Sequence, residues 1–381
     1  MEFGLSLPGR GPLATPDSIL KLATRADALG YDSLFVTDHV VLPVSMARSV
    51  YPYSNTGQLP GGAAQDYLEP LAVLAWLAHA TRRIRIGTSV LVVPYRNPVV
   101  TAKTLATIDR LSNGRVILGA GVGWLREEFE ALAAPSFAAR GAVTDEYLRL
   151  MRAVWTQDPT TFAGAHYRLP PVHALPKPVQ AGGIPIWIGG HTDAAVKRAG
   201  TLGDAWHPIA LRPPGLLLPD EYATKAKQVH AWAQRAGRDL RAVTLTVRVP
   251  MDVRPKRAKA PGGDRPMFQG TAADVIADIR AYHALGVTHF VFDAAHADLP
   301  SVLQNLERFA DDVRPKLGRA RVNGARPARS EGGPVEDRRG PVGTRGARPV
   351  RSAGGLVEEP RGSARPTPQP RVTSRRGKSR R

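Results

Sequence analysis

The sequence predicts an α/β protein, a TIM-like (β/α)8 barrel with long loop insertions and a disordered C-terminal tail. Three observations carry that expectation. Apolar strands alternate with amphipathic helices eight times over about 315 residues, and eight such units close into a barrel where six or seven would leave an open sheet. One unit, Arg83–Trp124, reads cleanly as strand, loop, helix and strand, and a parallel βαβ crossover is almost always right-handed. Glycines then cluster where that second strand ends, at Gly119, Gly121 and Gly123, as they do where something bulky must approach a backbone.

In chain order, Glu2–Leu7 is the first strand. Thr15 caps a helix that has Pro16 in its first turn, buries Ile19, Leu22, Ala23, Ala26 and Leu29, and ends at Gly30. Ser33–Thr37 is strand two, followed by Asp38-His39. Residues 40–68 form a Pro/Gly/Tyr-rich loop too long for a plain connection, the length of a lid or wall. Glu69–Arg82 is a helix. Arg83–Val93 is a β-branched strand that Pro94 stops, and Asn113-Gly114 ends the helix that runs from Val99. Arg115–Ala120 is strand four. A short helical stretch at Leu125–Leu132 and a fuller helix at Val143–Thr156 precede an irregular, proline-containing excursion, Gln157–Gly183. The remaining strands are Ile184–Ile188, Asp204–Ile209, Thr244–Met251 and His289–Asp293. Helices at Thr192–Leu202, Glu221–Ala236, Thr271–Leu285 and Leu299–Val313 follow them, and a basic loop covers residues 252–270.

Composition narrows the chemistry. Cysteine is absent, which excludes disulfides, thiol nucleophiles and thiolate metal sites. The N-terminus enters a strand with no basic segment before it, and the longest apolar run, Leu71–Ala80, is about half of what a membrane span needs; a cytoplasmic protein without membrane contact is expected. Of the net charge of +19, +12 lies in residues 319–381. That segment is rich in Arg, Gly and Pro, lacks aromatic residues and cannot bury enough surface to offset chain entropy. We therefore expect residues 1–318 to be the barrel and 319–381 a disordered basic tail. Nucleic acid is not an expected partner, since no aromatic residue interleaves the arginines for base stacking.

In a barrel the chemistry sits at the carboxyl ends of the strands. Those ends carry Asp38 and His39; Ser89 and Val90; Gly121, Gly123 and Trp124; Gly189, Gly190 and His191; and Trp206 and His207. No lysine stands at a strand end for Schiff-base chemistry, and no acidic or histidine cluster suggests a metal. Glycines, aromatics, a serine and one Asp-His pair suit a large planar anionic cofactor, its phosphate taken by backbone N–H groups where a helix starts.

These residues resemble the bacterial-luciferase-like superfamily, and within it the coenzyme F420-dependent oxidoreductases. The resemblance rests on Ala26-Asp27-x-x-Gly30-Tyr31-Asp32-Ser33, Thr37-Asp38-His39, Gly87-Thr88-Ser89-Val90, Arg96-Asn97-Pro98, Ala102-Lys103 and Leu111-Ser112-Asn113-Gly114-Arg115. It continues through Gly119-x-Gly121-Val122-Gly123-Trp124, Pro176-Lys177-Pro178-x-Gln180, Ile186-Trp187-Ile188-Gly189-Gly190 and Gly203-Asp204-x-Trp206. Each motif is weak alone; their joint order is specific. The resemblance implies a barrel with the cofactor ring at its mouth and a non-prolyl cis peptide around Ser89-Val90 propping that ring. It implies a pocket lined by Gly121–Trp124 and a phosphate-bearing chain at Gly189-Gly190, with His191 beside it. His39 would be the active-site histidine, passing a proton as hydride moves between the deazaflavin C5 and a small-molecule substrate, and Asp38 would orient it or cap the segment that follows. The same scaffold binds FMN in oxygen-using monooxygenases, the alternative activity. A homodimer is expected. Lys103 and Arg115 are read as structural ion-pair residues.

Overall fold

The computed structural model describes residues 1–210, 213–256, 265–294 and 296–318, and the tail expected at 319–381 lies outside them. Eight parallel strands make the barrel: β1 (Glu2–Ser6), β2 (Ser33–Val36), β3 (Arg85–Thr88), β4 (Val116–Gly121), β5 (Ile186–Gly189), β6 (Ala205–His207), β7 (Thr244–Val253) and β8 (Val287–Ala294). Each pairs in parallel with the next. Closure comes from β1, where Gly4 lies opposite Ser33 on one side and Val291 on the other. The predicted closed barrel is therefore the fold.

The helices start where the local chemistry says they should. Thr15 accepts a hydrogen bond from the Ser18 amide to cap α1 (Pro16–Ala28), with Pro16 in the first turn. The helix α2 spans Pro70–Ala80. Asn97 caps α3 (Pro98–Ser112), which ends on Asn113 in the left-handed region at φ 57°. A short helix α4 (Arg126–Ala131) precedes α5 (Arg140–Thr156). Thr192 caps α6 (Asp193–Leu202), then come α7 (Pro219–Arg235), α8 (Ala272–Ala284) with a capping box between Thr271 and Asp274, and α9 (Leu299–Arg308). None of the helices among the described residues is long and apolar enough to cross a membrane.

Two layers of core result. The helices pack their apolar faces on the outside of the sheet, while Phe35, Ile117, Trp187, Ala205 and Val291 fill the barrel itself. Trp187 packs between His207 and His289, with ring centroids 5.4 and 4.9 Å away. The lumen is thus plugged by packed rings, and a ligand can enter only from an end.

Three sequence expectations are corrected here. The run Arg83–Val93 is not one strand: a cis peptide at Ser89-Val90 separates β3 from a two-residue strand, Leu91–Val92, which pairs with the end of β4. The excursion Gln157–Gly183 contains an antiparallel hairpin, Thr160–Ala163 with Arg168–Val172. Its turn is organised by Glu146, which accepts the amides of Ala165, His166 and Tyr167 at 2.7–2.8 Å. Finally, Arg115 donates to the carbonyls of Ala78, Ile84 and Ser112, and Lys103 to that of Leu175, so both cap backbone where ion pairs were expected.

Candidate active site

The cis peptide after β3 forms a shelf at the carboxyl end of the barrel, and the glycines of the neighbouring strands are shaped around it. A Cβ added at Gly119 would lie 1.8 Å from the Thr88 carbonyl oxygen; at Gly121 and Gly189 it would lie 2.4 and 2.6 Å from the two methyls of Val90. These glycines therefore make room for the shelf itself. Only Gly190 of the predicted rim glycines remains open: it sits at φ 89°, and an added Cβ would meet nothing closer than Ala195 at 3.4 Å. Gly123, at φ 82°, is packed by Phe129 and Val92.

Below the shelf, Ser89 is locked by a buried polar chain. Its hydroxyl lies 2.9 Å from His207 Nε2, and His207 Nδ1 lies 2.7 Å from Thr246 Oγ1. The Thr246 hydroxyl spends its proton on the Trp206 carbonyl, so His207 donates from Nδ1 and accepts from Ser89 at Nε2. Burial, reinforced by the neighbouring Arg248 and His289, pushes His207 well below the usual histidine range, which matches this neutral tautomer. Arg248, buried in β7, donates from Nη1 to the Ser89 carbonyl at 2.7 Å and pairs with Asp293 through Nε and Nη2 at 2.9 and 2.6 Å.

His39 follows β2 and is also buried. Its Nδ1 lies 2.6 Å from Glu128, and its ring packs edge-on against Tyr67 and Trp124 at 5.0 and 5.9 Å. Asp38 does not reach it. The Asp38 carboxylate takes a bidentate grip from Arg96 at 2.8 Å and the Val92 amide at 2.8 Å. Burial pushes Asp38 up against the pull of Arg96. Asp38 thus fastens the far side of the shelf; it neither orients His39 nor caps the segment that follows it, whose Val40 and Val41 amides go to Glu128, which corrects the sequence reading.

The lid at 40–68 is fastened by α4. Glu128 accepts the amides of Val40 and Val41 at 2.7 and 3.2 Å and the Tyr95 hydroxyl at 3.0 Å. Glu127 accepts the Arg48 amide at 2.7 Å and the Ser49 hydroxyl at 2.6 Å, and Glu130 pairs with the Arg48 guanidinium. On the opposite edge, Tyr67 meets Thr37 Oγ1 at 3.1 Å and Arg10 pairs with the lid backbone at Tyr67. Tyr51 stacks edge-on against Trp124 and Tyr53 at 5.1 and 5.7 Å. Burial pushes the Tyr53 hydroxyl up to about 12, with a smaller opposing pull from Arg248. Tyr51, Tyr67 and Trp124 thus form an aromatic cluster around His39.

His191 stands just before the cap of α6, and its Nδ1 is buried with no hydrogen-bond partner among the described residues. Burial lowers its pKa. An open glycine, an orphaned ring nitrogen and the first amides of a ten-residue helix fit an anionic chain. Beside Gly121 and Gly189 the half-buried Val90 presents an apolar step. Together these fit a flat ring with an anionic chain, the form of a deazaflavin or flavin cofactor.

Glu128, Tyr95 and Arg248 were not singled out from the sequence, and Arg96 entered only as part of a motif with no role given. Glu128 is masked by its setting, Arg-Glu-Glu-Phe-Glu, which reads as an exposed acidic turn. Arg248 did carry a signal, because a charge flanked by valines inside a buried strand requires a buried partner.

A luciferase-like monooxygenase family profile matches residues 1–262. The chain belongs to that family. An F420-dependent glucose-6-phosphate dehydrogenase of Amycolatopsis mediterranei is 29% identical over 344 residues, covering 79% of this chain and 95% of the relative. Among solved structures, an F420-dependent secondary alcohol dehydrogenase bound to an F420-acetone adduct superposes with a TM-score of 0.66 at 20% identity, covering 84% of this chain and 99% of that one. A type II Baeyer-Villiger monooxygenase of Pseudomonas putida in complex with FMN superposes with a TM-score of 0.61 at 18% identity, covering 83% and 99%. The fold is common to all of these, and this luciferase-like chain is an oxidoreductase whose neighbours use F420 or FMN.

Proposed function

We propose that this luciferase-like protein is a coenzyme F420-dependent oxidoreductase acting on a small organic substrate. The observation that carries the proposal is the placement of His39 beside Trp124 on the same rim as the Ser89-Val90 shelf and the open Gly190. When bound, F420 supplies or takes a hydride at its deazaflavin C5. Val90 and Trp124 would bear on the ring, and Gly190 and His191 would hold the phosphate-bearing chain. His39 would give or take the proton that accompanies oxidation or reduction of the substrate. Tyr51, Tyr53 and Tyr67 would exclude water from the enclosed mouth. The relative that spans nearly the whole barrel supports F420 over FMN.

Fluorescence titration of the purified chain with F420 and, separately, with FMN tests the assignment. Saturable quenching by F420 with weaker binding of FMN is expected. Tight FMN binding without F420 affinity would replace the proposal with a flavin monooxygenase, the reading that the FMN-bound neighbour supports.

A further inference from the structure

We propose that Glu128 is the positioning residue that sets which nitrogen of His39 carries the proton, and that it ties this state to the closed lid. The inference rests on the reading of His39 as the proton-handling group. Glu128 belongs to α4 yet is completely buried, with a side chain that exposes no surface. Its two oxygens meet three donors and one histidine nitrogen: Oε1 accepts the Val40 and Val41 amides, and Oε2 accepts the Tyr95 hydroxyl at 3.0 Å and lies 2.6 Å from His39 Nδ1. Both oxygens are already used as acceptors, the role of a carboxylate, which has no proton to donate to the ring. His39 Nδ1 must then carry a proton and donate it to Glu128. The other nitrogen, Nε2, has no hydrogen-bond partner among the described residues, and it becomes the one that exchanges protons with a substrate.

The same carboxylate holds the first two lid amides. Displacing the lid at Val40 and Val41 would therefore disturb the group that orders His39, so ring state and lid position are coupled through one side chain. The neighbouring Glu127 provides an internal comparison. It also holds the lid, through Arg48 and Ser49, but has no contact with His39.

The test uses the full chain labelled with 15N-histidine, with the His39 signals assigned by their loss in His39→Gln, and needs neither cofactor nor substrate. A failed F420 titration would thus leave its result readable. In alkaline buffer, long-range 1H–15N spectra of the wild type are expected to show Nδ1 protonated and Nε2 bare. Glu128→Gln has one acceptor oxygen. If that oxygen keeps the Val40 and Val41 amides, its NH2 group faces His39, and the ring is expected to invert to the Nε2–H tautomer. Glu127→Gln is expected to leave the His39 pattern unchanged. Retention of the wild-type Nδ1–H signal in Glu128→Gln, or an equal change in Glu127→Gln, would overturn the proposal. Should Glu128→Gln not fold, Glu128→Asp serves instead. Withdrawing the carboxylate by one methylene is expected to weaken the strongly hydrogen-bonded Nδ1 proton, and an unchanged resonance there would equally overturn it.

Discussion

Ser89 and His39 stand at the ends of neighbouring strands, yet they are held by opposite chemistry. Ser89 is fixed from inside the barrel by a neutral histidine, a threonine and an arginine whose charge is already matched by Asp293. His39 is fixed from the loop side by a carboxylate on a short helix whose three glutamates all grip the lid. The two are held differently, the shelf from within the barrel core and the loop by side chains of one short helix. A shelf that supports a cofactor ring needs a single geometry, and close-packed backbone supplies it. Along residues 40–68 the contacts are graded: Glu128 and Glu127 are buried, whereas the Arg48–Glu130 pair is exposed and can be broken at small cost.

The largest expected effect falls on the shelf. Gly119→Ala would place a methyl 1.8 Å from the Thr88 carbonyl, a backbone atom that cannot swing away. A loss of about 3 kcal/mol or more is expected, read as a lower urea midpoint. An unchanged midpoint would show that the shelf yields, and would erase the contrast with the lid.

A smaller effect follows from the neutral state of His207. Its folded pKa lies well below 6.5, held down by burial, whereas the unfolded chain takes up a proton near 6.5. The unfolded state then binds more protons, so stability is full above that pH and falls as pH drops below it, by about 1.4 kcal/mol per unit for this one group. Unfolding free energies measured between pH 7.5 and 5.5 should show this slope, and His207→Gln should remove it. An equal slope in the variant would assign the pH dependence elsewhere.

The smallest effect belongs to the lid clasp. Burial alone would raise Glu127, but the Ser49 hydroxyl and the Arg48 amide outweigh it and bring the carboxyl below the usual glutamate range. Glu130 is lowered as well, chiefly by its hydrogen bond from Arg48. A depressed carboxylate stabilises fully above the unfolded value and loses that contribution as pH falls through the folded one. Limited proteolysis within residues 40–68 should therefore accelerate below about pH 4.5 while the barrel stays intact. Lid and barrel opening together at one pH would sharpen the comparison against us.

The sequence displayed the strand-helix alternation, the caps at Thr15 and Thr192 and the Asn113-Gly114 stop, because each is a local signal with a local cause. It also placed His39, Ser89 and Trp124 at the mouth, since strand ends are positions that can be counted. It did not reveal what the glycines were for. Gly121 and Gly189 read as openings toward a ligand but are filled by Val90, a contact set by a peptide bond geometry that residue order does not encode. Nor did it reveal the partner of His39. Asp38 is adjacent in sequence, yet successive residues on an extended segment point to opposite sides, and the carboxylate that reaches the ring arrives from 89 residues away.

The most direct measurement compares F420 quenching of the wild type with that of Gly190→Val and His39→Ala. The proposed function would have His39 handle a proton and Gly190 admit a cofactor chain. His39→Ala should therefore bind F420 about as tightly as wild type, while Gly190→Val, branched at φ 89° on the open glycine of the rim, should lose about tenfold or more in Kd. Equal F420 affinity in all three proteins, or no saturable binding in any, would contradict the account.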